Sequence, residues 1–180
     1  MRYVVALTGC SGIQYGIRLL EELDGTRELI ISKMGKKVLE EETDMTMTDL
    51  GASAEEIYED DNLFAPPASG SHQFDAMIIC PCTQSTLAKI STGIADTLIT
   101  RAASVALKEN RKLIIVPRET PVNAIMLKNM LHLAKSGAII LPASPAFYNK
   151  PHSINDMINF VVGRILDQIG QEHSLFRRWE

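Results

Sequence analysis

Short apolar runs punctuate the chain at Tyr3–Leu7, Glu28–Ile31, Ala76–Cys80, Lys112–Val116 and Ala138–Leu141. Each is too short for a stable helix and rich in Val or Ile, so each reads as a strand. Between them, apolar residues recur at helical spacing. The pattern predicts helices over Ile13–Leu23, over Lys33–Glu42 behind a Ser32 N-cap, over Thr97–Lys108 capped by Asp96, and over Ile154–Ile169. A further helix is predicted from a first turn at Pro121 to about Lys135, with Gly137 as its stop. Strands alternating with crossover helices give a three-layer α/β domain around a doubly wound, mainly parallel sheet of Rossmann-like or flavodoxin-like type.

Ligands of such sheets bind outside the carboxyl ends of the strands. The segments that follow the strands are Thr8–Gly12, Ser32-Lys33, Pro81–Thr86, Pro117–Thr120 and Pro142–Tyr148, the polar, Gly-rich and Pro-rich stretches of the chain. The first of them, Gly9-Cys10-Ser11-Gly12, opens a helix, where free N–H groups and the helix dipole favour an anion. It fits neither G-x-G-x-x-G nor a P-loop, which points to a less common phosphorylated ligand. In the loop Cys82–Thr86, hydroxyls and an amide stand at another helix start. Together the two loops form a cradle suited to a phosphate on one side and the polar edge of a flat ring on the other, the division of labour that FMN requires. Taken alone, Thr83, Ser85 and Thr86 read first as helix caps.

Charges follow a pattern of their own. Arg101 and Lys108 lie seven apart, on one helix face, and Arg118-Glu119 falls at a strand end. These groups face either solvent or a charged ligand, and Arg118 with Glu119 either pair or serve the crevice. In Pro142–Tyr148 the prolines stiffen a loop that holds Tyr148, and Arg164 follows on the last helix. Tyr148 also fits a core position, and Glu42, closing the run Glu40–Glu42, fits a charged surface. The segment at about 43–73 is an excursion, with a helical piece expected around Ala54–Tyr58 and a role as a lid or an oligomer contact. The aromatic, basic tail at about 171–180 is expected to dock on the body or on a neighbouring subunit.

The whole chain reads as one domain over its 180 residues, with 46% hydrophobic residues. A formal net charge of −4 without a basic block argues against general affinity for nucleic acid or anionic membranes. No apolar run approaches a bilayer span and no secretory leader is recognisable, so the expected location is cytoplasmic. The 3 cysteines lack metal or redox spacing and the 4 histidines form no ligand pattern, so no metal is expected.

Taken in order, Gly9-Cys10-Ser11-Gly12, Ser32-Lys33, Glu42-Thr43-Asp44, Pro66–Ser71, Pro81-Cys82-Thr83, Thr100–Ala103, Leu107-Lys108-Glu109, Pro117–Pro121, Phe147-Tyr148 and Arg164 resemble the flavin prenyltransferases of the UbiX/Pad1 family, nearly end to end. The resemblance implies a flavoprotein that binds reduced FMN and transfers a dimethylallyl group from dimethylallyl phosphate to N5 and C6. The product, prenylated FMN, serves a UbiD-type decarboxylase. By the same resemblance, Gly9, Cys10, Ser11, Ser32, Thr83, Gln84, Ser85, Thr86 and Arg118 contact the flavin. Arg101, Lys108, Tyr148 and Arg164 surround the donor phosphate, and Ser11, Glu42 and Glu119 orient groups and handle protons. A homo-oligomer, commonly a dodecamer with shared active sites, is implied as well. Two positions depart from the pattern: Leu63 where relatives can carry Trp, and Cys10 where Ala is usual.

That chemistry is coherent. Reduced flavin is nucleophilic at N5, guanidinium and ammonium groups can stabilise a phosphate leaving group without a metal, and a carboxylate can take the C6 proton. Two other readings are an FMN-dependent oxidative decarboxylase of a cysteine-containing substrate and a non-catalytic flavin carrier. The first should show a Pro-Ala-Met-Asn type segment where this chain has Pro117-Arg118-Glu119-Thr120-Pro121. The second has no need of converging cations and a carboxylate.

Overall fold

The computed structural model describes residues 1–179. Six strands, β1 (Arg2–Leu7), β2 (Thr26–Ile31), β3 (Glu56–Glu59), β4 (Ala76–Cys82), β5 (Lys112–Pro117) and β6 (Ile139–Ile140), form one sheet in the order β3-β2-β1-β4-β5-β6. Every neighbouring pair is parallel. The helices are α1 (Ile13–Glu22), α2 (Lys33–Glu42), α3 (Met47–Gly51), α4 (Gln84–Ser91), α5 (Leu98–Lys108), α6 (Ala124–Lys135) and α7 (Ile154–Ile169), with a 3-10 turn at Pro66–Ala68.

Side chains of β1 alternate between two cores. Tyr3, Val5 and Leu7 join α1 and α7 on one face, while Val4 and Ala6 join α4 and α5 on the other. Burial on both faces is why the strands are continuous apolar runs, each fully buried Val, Leu or Ile contributing roughly 1.5–3 kcal/mol. The strand order reverses between β1 and β4, and this reversal opens the crevice in which such folds bind ligands.

Three local expectations are corrected. The piece around Ala54–Tyr58 is not helical: Glu56–Glu59 is strand β3, and the helix of that excursion is α3 upstream. The free edge of β2 decides this, pairing Leu29 with Ile57 and Ile30 with Tyr58, while Arg27 holds Glu55 at 2.8 Å. Thr97, not Asp96, caps α5 through a capping box with Thr100, and Asp96 pairs instead with Lys89 at 2.8 Å. Helix α6 starts at Ala124 behind an Asn123 cap rather than at Pro121. The tail folds back on the body, its Phe176 ring 4.9 Å from Phe160 of α7.

Candidate active site

Thr8, the first residue past β1, is 1% exposed and joins the two strands at the reversal. Its hydroxyl donates to the Pro81 carbonyl at 2.7 Å and accepts from the Thr83 N–H at 2.8 Å. Thr83 in turn caps α4, accepting from Thr86 N–H at 3.1 Å and donating to the Thr86 hydroxyl at 2.9 Å. On the other side, Ser32 N–H donates to the Leu7 carbonyl at 3.0 Å, and the Ser32 hydroxyl caps α2 through Gly35 N–H at 2.9 Å. The ends of β1, β2 and β4 are thus tied into one hydroxyl-rich rim. Gly9 is required by close packing: a Cβ there would come within 2.3 Å of Met34 Cβ on α2.

Glu42, at the far end of α2, reaches back over this rim. Its Oε2 accepts Gly12 N–H at 2.8 Å and Ile13 N–H at 3.3 Å, with the Ser11 hydroxyl beside the carboxylate. Burial alone pushes the Glu42 carboxyl up, but the neighbouring Ser11 hydroxyl and the bonds from Gly12 and Ile13, with Arg118 nearby, outweigh it and hold the group below its ordinary pKa. The anion expected at the start of α1 is therefore the chain's own carboxylate, which leaves an external phosphate to other donors. Arg118, at the end of β5, donates from Nε to the Ser11 carbonyl at 3.0 Å rather than pairing with Glu119. Glu119 accepts Thr120 N–H at 3.2 Å. Cys10 lies beside Thr8, and burial pushes its thiol up to about 11, so it behaves as a small neutral residue.

The four residues matched to the donor phosphate do not converge on this net. Arg101, in the first turn of α5, donates from Nε to the Ala68 carbonyl at 2.9 Å. Lys108 stands two turns further on, about 10 Å along the helix axis. It pairs there with Glu109 beside Gly70, at the end of the sheet opposite the crevice. Tyr148 and Arg164 form a third group: Arg164 pairs with Asp167 at 3.0 Å and borders a cleft of about 350 Å³ with Phe160 and Ser144. Tyr148 borders an adjoining cleft of about 270 Å³ with Lys150, Arg177, Arg178 and Trp179. Gln84 and Ser85 open α4 beside the rim.

Sequence reasoning passed over Thr8 as a site residue, although a polar residue directly after a buried strand was the available signal. Asp60 was missed too: it holds the start of α5 by accepting Ile99 N–H at 2.8 Å, a partnership across 39 positions with no local trace.

A model of the family described as Flavoprotein matches residues 1–166. Flavin prenyltransferase UbiX of Methanocaldococcus jannaschii is 51% identical over 181 residues, covering 99% of this chain and 98% of the relative. The chain belongs to the UbiX/Pad1 family of flavin prenyltransferases. Among solved structures of this family, AnUbiX (PadA1) in complex with FMN and dimethylallyl pyrophosphate superposes with a TM-score of 0.97 at 42% identity, over 99% of this chain and 97% of that one. A dodecameric FMN-dependent UbiX-like decarboxylase from Escherichia coli O157:H7 gives the same TM-score of 0.97 and 42% identity, over the whole of both chains. The family's all-parallel sheet and crevice are those described above. No group of His, Cys, Asp and Glu among the described residues could hold a metal ion, and no helix there is long and apolar enough to cross a membrane.

Proposed function

We propose that this chain transfers a dimethylallyl group from dimethylallyl phosphate to N5 and C6 of reduced FMN, and that the prenylated FMN passes to a UbiD-type decarboxylase. The observation that carries the reading is the net of Ser11, Gly12, Glu42 and Arg118, assembled within one chain at the strand reversal of a UbiX/Pad1 family member. The donor set suits FMN: Ser32, Thr83, Gln84, Ser85 and Thr86 offer hydroxyls and amides for the phosphate end, and Gly9, Cys10, Ser11 and Arg118 would hold the ring. When bound, reduced FMN supplies the nucleophile.

The chain's own groups then have distinct tasks. The Ser11 hydroxyl lies beside Glu42, and its oxygen would accept from a ring N–H. Arg118 fixes the loop that carries Ser11. As the allylic C–O bond breaks and the N5–C bond forms, phosphate leaves with the electron pair, and Arg101, Lys108, Tyr148 and Arg164 neutralise it. The N5 proton leaves with the departing phosphate, and the second bond, from C6 to the substituted alkene carbon, needs a proton added at the neighbouring alkene carbon and one taken from C6, which Glu119 would carry.

Lys108, at the opposite edge from the crevice of its own chain, would serve the crevice of a neighbour. This supports a homo-oligomer with shared active sites, a dodecamer like the bacterial relative. Phe64 and Phe147, 101% and 72% exposed, are apolar groups suited to the same contacts.

The test is anaerobic incubation with reduced FMN and dimethylallyl phosphate, followed by mass analysis of the extracted flavin, with the diphosphate in parallel. A flavin heavier by one five-carbon unit is expected. Unchanged flavin with both donors, despite intact FMN binding, would return the cysteine decarboxylase or the flavin carrier.

A further inference from the structure

Asp167, near the end of α7, collects three cationic or imidazole partners. Its Oδ1 accepts from Arg178 Nη2 at 2.8 Å and His173 Nε2 at 3.1 Å, and its Oδ2 accepts from Arg164 Nη1 at 3.0 Å. The His173 side chain is 2% exposed. Its Nδ1 accepts Leu175 N–H at 3.2 Å, so the ring proton sits on Nε2 and points at Asp167. Although burial pushes the Asp167 carboxyl up, the bonds from Arg178 and His173 outweigh it and keep the carboxyl below its ordinary pKa.

Within the segment from His173 to Trp179, His173 and Phe176 pack on α7 while Trp179 stays 78% exposed. Phe176 lies 4.9 Å from Phe160 and 5.2 Å from His173, ring to ring, with the Arg178 guanidinium 5.7 Å above it. It fits because α7 carries no side chain at Gly163: a Cβ there would stand 2.5 Å from both His173 Cε1 and Phe176 Cε1. At the end of the segment, Trp179 meets Tyr148 edge-on at 5.2 Å, and Tyr148 meets Phe160 edge-on at 5.8 Å.

We infer that Asp167 and the tail His173–Trp179 are a positioning element for the donor phosphate, aiming Arg164 and Tyr148 together. The inference rests on the proposed function, which assigns those two residues to the phosphate. Asp167 engages one terminal nitrogen of Arg164, and the rest of the guanidinium fork stays available to an anion. Two edge contacts clamp the Tyr148 ring while 42% of the residue remains exposed. One element therefore reaches two of the four phosphate groups, and it makes no contact with the flavin net.

The decisive variant is Gly163→Ala, which displaces the tail without removing any polar group and favours the helix it sits in. In FMN-loaded protein it should raise the KM for dimethylallyl phosphate about tenfold, with kcat within about threefold and FMN affinity unchanged. Trp179→Ala should raise that KM less, and Trp179→Phe should restore most of the loss. If Gly163→Ala does not fold, the Trp179 pair carries the test alone. Unchanged donor KM in the folded variants, or an equal loss of FMN affinity, overturns the inference. Wild-type protein that transfers no prenyl group overturns the proposed function instead, so the two failures are separable.

Discussion

The net proposed for the flavin and the groups proposed for the phosphate are built differently. Around Ser11, three chain segments share one hydrogen-bond net, in which Glu42 spans 30 positions to reach Gly12 and Arg118 spans 107 to reach Ser11. The residues proposed for the phosphate stand in three separate places: Arg101 is held by the Ala68 carbonyl, Lys108 by Glu109, and Arg164 by Asp167, which it shares with the tail. A ring that must be held flat needs donors fixed before it arrives, because reorganisation would otherwise be charged against binding. A phosphate can be gathered by long cationic side chains that exchange one partner for another. On the proposed assignment, one chain completes the flavin side and leaves the phosphate side to be assembled.

Glu42 is the sharpest way to break that contrast. Glu42→Ala frees the N–H groups of Gly12 and Ile13 and releases Ser11, so turnover should fall by about a hundredfold or more, with weakened FMN binding in a flavin-fluorescence titration. Arg118→Ala should follow, costing roughly tenfold or more in FMN affinity while leaving relative donor use little changed. Lys108→Ala reverses the pattern: kcat/KM for dimethylallyl phosphate should drop about tenfold with FMN affinity intact, and equal losses in both would contradict the division. Thr8→Val removes the tie between β1 and β4 at nearly constant volume; thermal unfolding should register a loss of about 1–3 kcal/mol, felt on both sides of the crevice.

The smallest effect is in pH. Glu42 has a folded-state pKa below its ordinary value of 4.5, so the stability it contributes is present above that value and is lost as pH falls through the lower, folded value. Glu42→Gln should therefore melt below wild type near neutrality, and the gap between the two curves should close as pH falls below about 5.

Much of this was legible because it is local. The strands β1, β4 and β5, the Ser32 cap of α2 and the full extent of α7 follow from side-chain period and capping chemistry, which neighbours along the chain enforce. The clustering of site residues after strand ends was legible too, since a parallel sheet sends those ends to one edge. Strand β3 was not, because Ile57 and Tyr58 suit a helix or a strand equally and only the open edge of β2 chose.

Sequence by itself determined the alternation of elements, the two-faced core and the identity of the polar groups at the strand ends, because those depend on periods of two and 3.6 residues. Tertiary structure alone decided which groups meet. That Glu42 rather than a ligand takes the start of α1, that Lys108 faces away from its own crevice, and that Asp167 binds the tail to Arg164 are matters of contact across folded distance. Hydrogen bonds and ion pairs act over a few ångströms in space, and nothing in the linear order of residues sets those distances.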